Sequence, residues 1–250
     1  MPVKERRIKI LLLLFLIKDI SFDYVPLNEL FLELFDLSLN QKTKGTLSAM
    51  LKEGLIEKQE NSTSENGSAY RITDRGFNQL CLEFPAFRYM KEEWDGVWRI
   101  ISYEIPEKKR HLRDRLRREM RGWGLGPWHR SFWMTAHPVI GPLRDLVYGR
   151  EEEQYIQAFE STHMFGDMDT LVEKVWGRDS IETAYKTLFK EWHTTLSKEI
   201  EKKEKLKSVL YEYVKVLKDD PGLPPSLVGR KWISVEAFGI FKEIRGILLG

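Results

Sequence analysis

Gln41, Lys42, Lys44, Ser48 and Lys52 fall at spacings that put them on the polar side of one helix, and each ends in a group that can bond a phosphate oxygen or a base edge. The helix that would carry them is written around them. Asn40 can accept from the free N–H groups of the turn that follows it, Leu47, Met50, Leu51 and Leu55 recur at helical spacing, and Gly54 supplies a stop. Beyond it, residues 55–58 and 69–73 are short strand-like runs that carry Lys58 and Arg71. Between them lies the turn-rich stretch Asn61-Ser62-Thr63-Ser64-Glu65-Asn66-Gly67-Ser68. Upstream, Ile8 to Ile17 is an apolar run too short to cross a bilayer, and Leu27, Leu30, Phe31, Leu34 and Phe35 mark a second amphipathic helix. Two helices, a polar-faced third helix and a long-tipped hairpin predict a winged helix-turn-helix over residues 1–90, with the third helix entering the major groove of double-stranded DNA. The same order also fits a helical layer with a hairpin that serves as a protein-interaction module.

Charge sets a condition on the first reading. Residues 1–90 hold twelve basic and twelve acidic side chains, and the hairpin tip carries Glu65 and no Lys or Arg. Because affinity for DNA leans on neutralising phosphates, a neutral reader needs a second copy of the chain or basic residues elsewhere. The basic surplus lies mid-chain: Pro106 to Arg130 holds nine Lys or Arg against three acids, a local charge of +6 within a chain of net +2. Arg113, Arg117 and Arg121 recur there every four residues, on a helix predicted from Glu107 to Arg121 by the spacing of Leu112, Leu116 and Met120. Guanidinium offers planar, bidentate contacts to phosphate, so these arginines suit DNA or an anionic ligand; a solvated helix face is the other reading.

Chemistry of other kinds finds little support. The five histidines show no zinc-ligand spacing, and Gly122, Gly124 and Gly126 follow a helix where a phosphate-binding loop must follow a strand. No Ser or Cys sits in a nucleophile elbow. The expectation is therefore no catalytic residue, no metal and no cofactor. Cys81, the one cysteine, excludes an internal disulfide and reads as a small apolar residue in a reducing compartment. Met1 to Lys18 lacks a small-residue cleavage site and no stretch of about 18 apolar residues exists, so a cytoplasmic protein without membrane contact is expected.

The centre, residues 91–168, reads as βαββαβ: a strand from Val97 to Ile105, the basic helix, strands Pro127–Ser131 and Phe132–His137, a helix from Pro142 to Gln157, and an extended stretch Ala158–Phe165. That order predicts a ferredoxin-like sandwich. Residues 169–250 read as helical: Val175–Leu196, a charged stretch Lys198–Lys205, a resumed pattern ending at Asp219-Asp220-Pro221, a stiff segment with Pro224 and Pro225, and a last helix Val235–Leu249. Its aromatic residues, Trp192 and Trp232 among them, suit a helical core or the wall of an effector pocket. The fold class is α+β.

Several separated motifs then carry a resemblance. Asp95-Gly96-Val97-Trp98-Arg99, Tyr103-Glu104-Ile105-Pro106-Glu107-Lys108, Arg113-Asp114-Arg115-Leu116-Arg117-Arg118, Gly122-Trp123-Gly124-Leu125-Gly126-Pro127 and Phe132-Trp133-Met134 resemble the central block of the PaaX family. Further along, Trp176, Ala184-Tyr185-Lys186-Thr187-Leu188-Phe189, Asp219-Asp220-Pro221-Gly222-Leu223-Pro224-Pro225-Ser226-Leu227 and Trp232 keep the family's order. The resemblance implies a bacterial transcriptional repressor, a homodimer on an operator, released by a small-molecule effector such as an acyl-CoA or an aromatic compound. Arg113, Arg117, Arg121, Trp192 and Trp232 are then the candidate effector contacts. This chain departs from the family at Glu104, where an Asp is usual, and at Val228-Gly229, where Leu-Pro is usual. The central fold also resembles small CRISPR-associated adaptation proteins, metal-dependent nuclease relatives in which an Asp ending the first strand can hold a divalent ion. Glu104 occupies that position, which makes a nuclease the alternative, with Glu107 the only carboxylate near it in sequence.

Overall fold

The computed structural model describes residues 1–18, 23–59, 68–229 and 231–250, and the chain is mixed α+β. The expected wing tip, with Glu65, lies outside the described residues apart from Ser68. Compactness divides the chain into two units: Met1–Glu83 with Ala184–Lys218 and Ile233–Gly250, and Phe84–Thr183 with Asp219–Trp232. The division 1–90, 91–168 and 169–250 follows order along the chain, whereas compactness interleaves the segments.

The first unit begins with α1 (Arg6–Leu16), whose residues from Ile10 to Leu16 are all buried. A helix that is apolar all round needs neighbours on every side. Some come from the rest of the winged helix: β1 (Val25–Pro26), α2 (Glu29–Leu34), α3 (Gln41–Lys52), β2 (Ile56–Lys58), β3 (Ala69–Ile72) and α4 (Asp74–Glu83). The three strands pair antiparallel in the order β1-β3-β2. Sequence periodicity did not anticipate β1, which is only two residues long, or α4, which buries Phe77, Leu80 and Cys81 and sets Phe77 at 5.6 Å from Phe15. At Gly76 a Cβ would lie 2.0 Å from the Leu55 carbonyl oxygen, so α4 can meet the wing this closely only through a glycine. Helix α2 is shorter than the apolar pattern suggested; Asn28 caps it, accepting from Phe31 N–H at 2.8 Å. The chain then reverses at Asp36, which takes a left-handed φ of 53°.

In the second unit β4 (Val97–Tyr103), α5 (Arg110–Gly122), β5 (Gly126–His129), β6 (Phe132–Thr135), α6 (Ile140–Val147) and β7 (Ile156–Thr162) give the expected βαββαβ order. All pairings are antiparallel, in the order β5-β6-β4-β7, which is the ferredoxin-like arrangement. Helix α6 stops well short of the expected Gln157. The single helix expected over Val175–Leu196 is two, α7 (Met168–Trp176) and α8 (Arg178–Ser197), because Gly177 takes a left-handed φ of 65° and closes α7 with its N–H on Glu173 O. Asp167 starts α7, accepting from Thr170 N–H at 2.6 Å. Val172 and Val175 of α7 pack with Trp98 and Met134 of the sheet and with Leu223 and Leu227 of the returning Asp219–Trp232 segment. That segment, expected to be non-helical, contains one helical turn, α10 (Pro225–Val228), which tolerates Pro at its first position. His137 anchors it: Nε2–H donates to Pro221 O at 2.9 Å, and the ring stacks on Tyr89 at 5.0 Å. A carbonyl can only accept, so the proton resides on Nε2 and Nδ1 is bare.

The later part of α8, with α9 (Lys202–Leu217) and α11 (Ile233–Leu249), returns to the first unit. Its core is aromatic: Tyr213 lies 5.6 Å from Trp192 and 4.9 Å from Phe241, and all three are essentially inaccessible. These helices also supply neighbours to the winged helix. Arg245 of α11 donates to the Leu16 carbonyl at 2.8 Å, capping α1. Lys207 of α9 pairs with Asp36 at 2.8 Å and Lys203 with Glu33, tying α9 to the end of α2 and the turn after it. Burial opposes ionisation of Asp36, but Lys207 and the Met1 ammonium outweigh it and draw its pKa down to about 2.

Candidate nucleic-acid interface

Helix α3 has well-defined ends. The Asn40 side chain accepts from Thr43 N–H at 3.0 Å, and at the other end Gly54 is left-handed, with Leu55 N–H on Met50 O at 2.9 Å. At roughly 100° per residue the helix separates into three stripes. Thr43, Leu47 and Met50 form the buried one. Gln41, Lys44, Ser48 and Lys52 fall within roughly 80° of arc on the solvent side and are all exposed. Lys42, Gly45, Thr46 and Ala49 form a third stripe beside it, so Lys42 points away from the other expected contacts by about a quarter turn.

The lysines of α3 and Lys58 of β2 are uncommitted. Among the described residues Lys42, Lys44, Lys52 and Lys58 have no ion-pair partner, and all four are exposed. Arg71 differs. Its Nε donates to Glu57 at 2.7 Å across the β2–β3 pair and its guanidinium lies 5.1 Å from the Tyr24 ring centre. The Glu57 hydrogen bond raises the pKa of Arg71 further, and the arginine is partly neutralised where it stands. An open cleft of about 510 Å³ runs along the third stripe, with Lys42, Gly45 and Thr46 on one side and Glu5, Arg6 and Arg7 at the start of α1 on the other.

The mid-chain arginines are engaged within their own unit. Arg113 pairs with Glu107 at 2.7 Å; Arg117 donates to Tyr103 Oη at 2.6 Å and to Arg130 O at 3.0 Å; Arg121 lies over the Trp133 ring at 5.8 Å. Trp192 belongs to the other unit, where its Nε1–H donates to Val209 O at 3.2 Å inside the aromatic core. Trp232 is buried where the Pro-rich segment ends. The five residues expected to touch an effector thus divide between the units, Trp192 in one and Trp232 with the arginines in the other.

Glu104 is exposed just beyond β4, with its N–H on Tyr155 O at 3.0 Å. Polar amides and hydroxyls surround it, in a shallow cleft of about 270 Å³ shared with Ser102, Gln154 and Gln157. The Arg113 guanidinium claims Glu107 and holds its carboxyl below the usual range. Among the described residues no group of three or more His, Cys, Asp or Glu is placed to hold a metal ion. No helix among them is long and apolar enough to cross a membrane.

Residues 91–172 match the family model described as the PaaX protein central Cas2-like domain, and residues 176–249 match that of the PaaX-like protein C-terminal domain. No curated protein matches the chain. Among solved structures it is similar to the uncharacterized protein Rv0674 from Mycobacterium tuberculosis, at 17% identity over 88% of this chain and 87% of that one, with a TM-score of 0.52. At that identity the likeness is one of fold.

Proposed function

Since this chain belongs to the PaaX family, we propose that it is a DNA-binding transcriptional regulator, a cytoplasmic repressor that acts as a homodimer and is released by a small-molecule effector, an acyl-CoA or an aromatic compound. The observation that carries the reading is the outward stripe of α3. Gln41, Lys44, Ser48 and Lys52 stand exposed along a helix of 12 residues, roughly 18 Å, with both lysines unpaired among the described residues. In a major groove the lysines reach backbone phosphates while Gln41 and Ser48 reach base edges. Lys58 and Arg71 extend the surface along the wing, Arg71 at the cost of its bond to Glu57. Two chains related by a twofold axis would place two such helices about 34 Å apart, one turn of the duplex.

Release by an effector needs a ligand that prefers one of two arrangements. The packing of the first unit supports a direct route. Lys203 and Lys207 of α9 grip the end of α2 and the turn that sets the start of α3, so a ligand that moves α9 moves the recognition helix with it.

The test is a DNA titration at several salt concentrations. Wild-type protein binds with an affinity that falls steeply as salt rises, and Lys44→Ala with Lys52→Ala loses about 1.8 units of the log–log salt slope per bound protomer while unfolding at the wild-type temperature. Unchanged affinity in the double variant overturns the assignment of α3; weak, salt-insensitive binding by the wild type points instead to an interaction module.

A further inference from the structure

We infer that the cleft between the start of α1 and the third stripe of α3 is a second DNA contact, a seat for one backbone phosphodiester held between Arg6 and Lys42. This rests on the DNA-binding reading above and adds a site to it. Three observations point to an anion there. The Nε of Arg6 is buried with no hydrogen-bond partner, although Arg6 itself is only half-buried and lines the open cleft. A desolvated guanidinium N–H without an acceptor is costly, so a turn of the half-buried Arg6 side chain into the cleft, where its guanidinium meets a phosphate oxygen, relieves that cost. Lys42 faces the same space from α3 and is unpaired among the described residues. Between them stands Gly45, where a Cβ would meet nothing within 4 Å, so the floor is open to a group of phosphate size.

The neighbouring charges select which cation is available. Arg7 is spent on Glu53, with both guanidinium nitrogens at 2.7 Å from the carboxylate. Glu5 on the rim is the one acid left against Arg6 and Lys42, which leaves the cleft cationic. The third stripe flanks the outward one on the same helix, so a duplex seated on Gln41, Lys44 and Ser48 brings a strand backbone along this edge. Such a contact carries no sequence information and adds affinity from beside the outward stripe.

A phosphate seat is indifferent to sequence, so a random 30-base-pair duplex serves as the probe. Wild type, Arg6→Gln, Lys42→Gln and the double variant are titrated from 50 to 300 mM monovalent salt. Counted per bound protomer, as are all the slopes that follow, loss of one phosphate contact lowers the log–log salt slope by about 0.9 and weakens binding about tenfold at 50 mM. Each single variant is expected to show that loss. The double variant is expected to lose about 0.9, not 1.8, because both side chains hold the same phosphate. Thermal unfolding checks that each variant is folded; should Arg6→Gln fail to fold, the Lys42→Gln slope alone decides. A wild-type slope retained in the single variants overturns the seat and leaves the proposed function standing. A loss near 1.8 in the double variant means two separate contacts and overturns the shared site. No binding by the wild type at 50 mM overturns both.

Discussion

Lowering the pH from 7 to 5 should destabilise the protein through His137, and the size of the effect follows from where that ring sits. Burial pushes the His137 pKa from 6.5 down to about 4, with Arg88 and Arg99 adding repulsion and the Pro221 carbonyl partly offsetting it. The sign follows from proton uptake. Below pH 6.5 the unfolded chain takes a proton on His137 that the folded chain refuses until about pH 4, so stability is full above 6.5 and is lost as pH falls towards 4. With those two values the loss between pH 7 and pH 5 is about 1.8 kcal/mol, approaching about 1.4 kcal/mol per pH unit in the middle of the window. His137→Gln keeps a side-chain N–H near the position of Nε2, able to donate to Pro221 O, and has nothing to titrate. Urea unfolding of the two proteins, followed by tryptophan fluorescence at pH 7, 6 and 5, measures the difference directly, and carboxylates common to both cancel. A pH dependence that is the same in His137→Gln as in wild type would refute the reasoning. So would a variant less stable than wild type by the same amount at every pH.

Two other perturbations test the first unit. Gly76→Ala puts a methyl against the Leu55 carbonyl and should destabilise the winged helix by about 2–4 kcal/mol, read as a lower urea midpoint; a change under about 0.5 kcal/mol would mean the wing yields. Asp36→Asn preserves a residue that tolerates the left-handed turn but removes the charge that Lys207 holds. Because the folded pKa of Asp36 is depressed, its contribution is present above pH 4 and fades as pH falls towards 2. Discounted for solvent exposure, the loss at pH 7 is about 1 kcal/mol, and the gap between variant and wild type should close in that acidic window.

The outward face of α3 was legible because one periodicity defines both sides of a helix: Leu47 and Met50 fix the buried side and so fix where Lys44 and Ser48 point. The same reasoning gave the order of the central sandwich, whose strands are bounded by Pro106 and the glycines after α5. It failed where the signal was short or tertiary. Strand β1 is two residues, and α4 offers helical spacing for less than three turns with Gly76 in its first turn. Gly177 did mark the break between α7 and α8, but an apolar pattern continuing on both sides masked it. Lys42 groups with the outward face by residue type and exposure alone; at about 100° per residue it belongs to the neighbouring stripe. Arg6 carried no sequence signal as a site, because a basic residue flanking an apolar helix is ordinary and its proximity to α3 exists only after folding. The uniform apolarity from Ile10 to Leu16 was the overlooked clue that the winged helix has further neighbours, and the structure supplies them from the far end of the chain.

That long-range closure has a consequence for biosynthesis. Helix α1 leaves the ribosome well before its partner: the side chain that caps its last turn, Arg245, is translated more than two hundred residues later. Until α9 and α11 emerge, the nascent winged helix keeps apolar surface of α1 uncovered. A chain cut short before α11 lacks the side chain that caps α1.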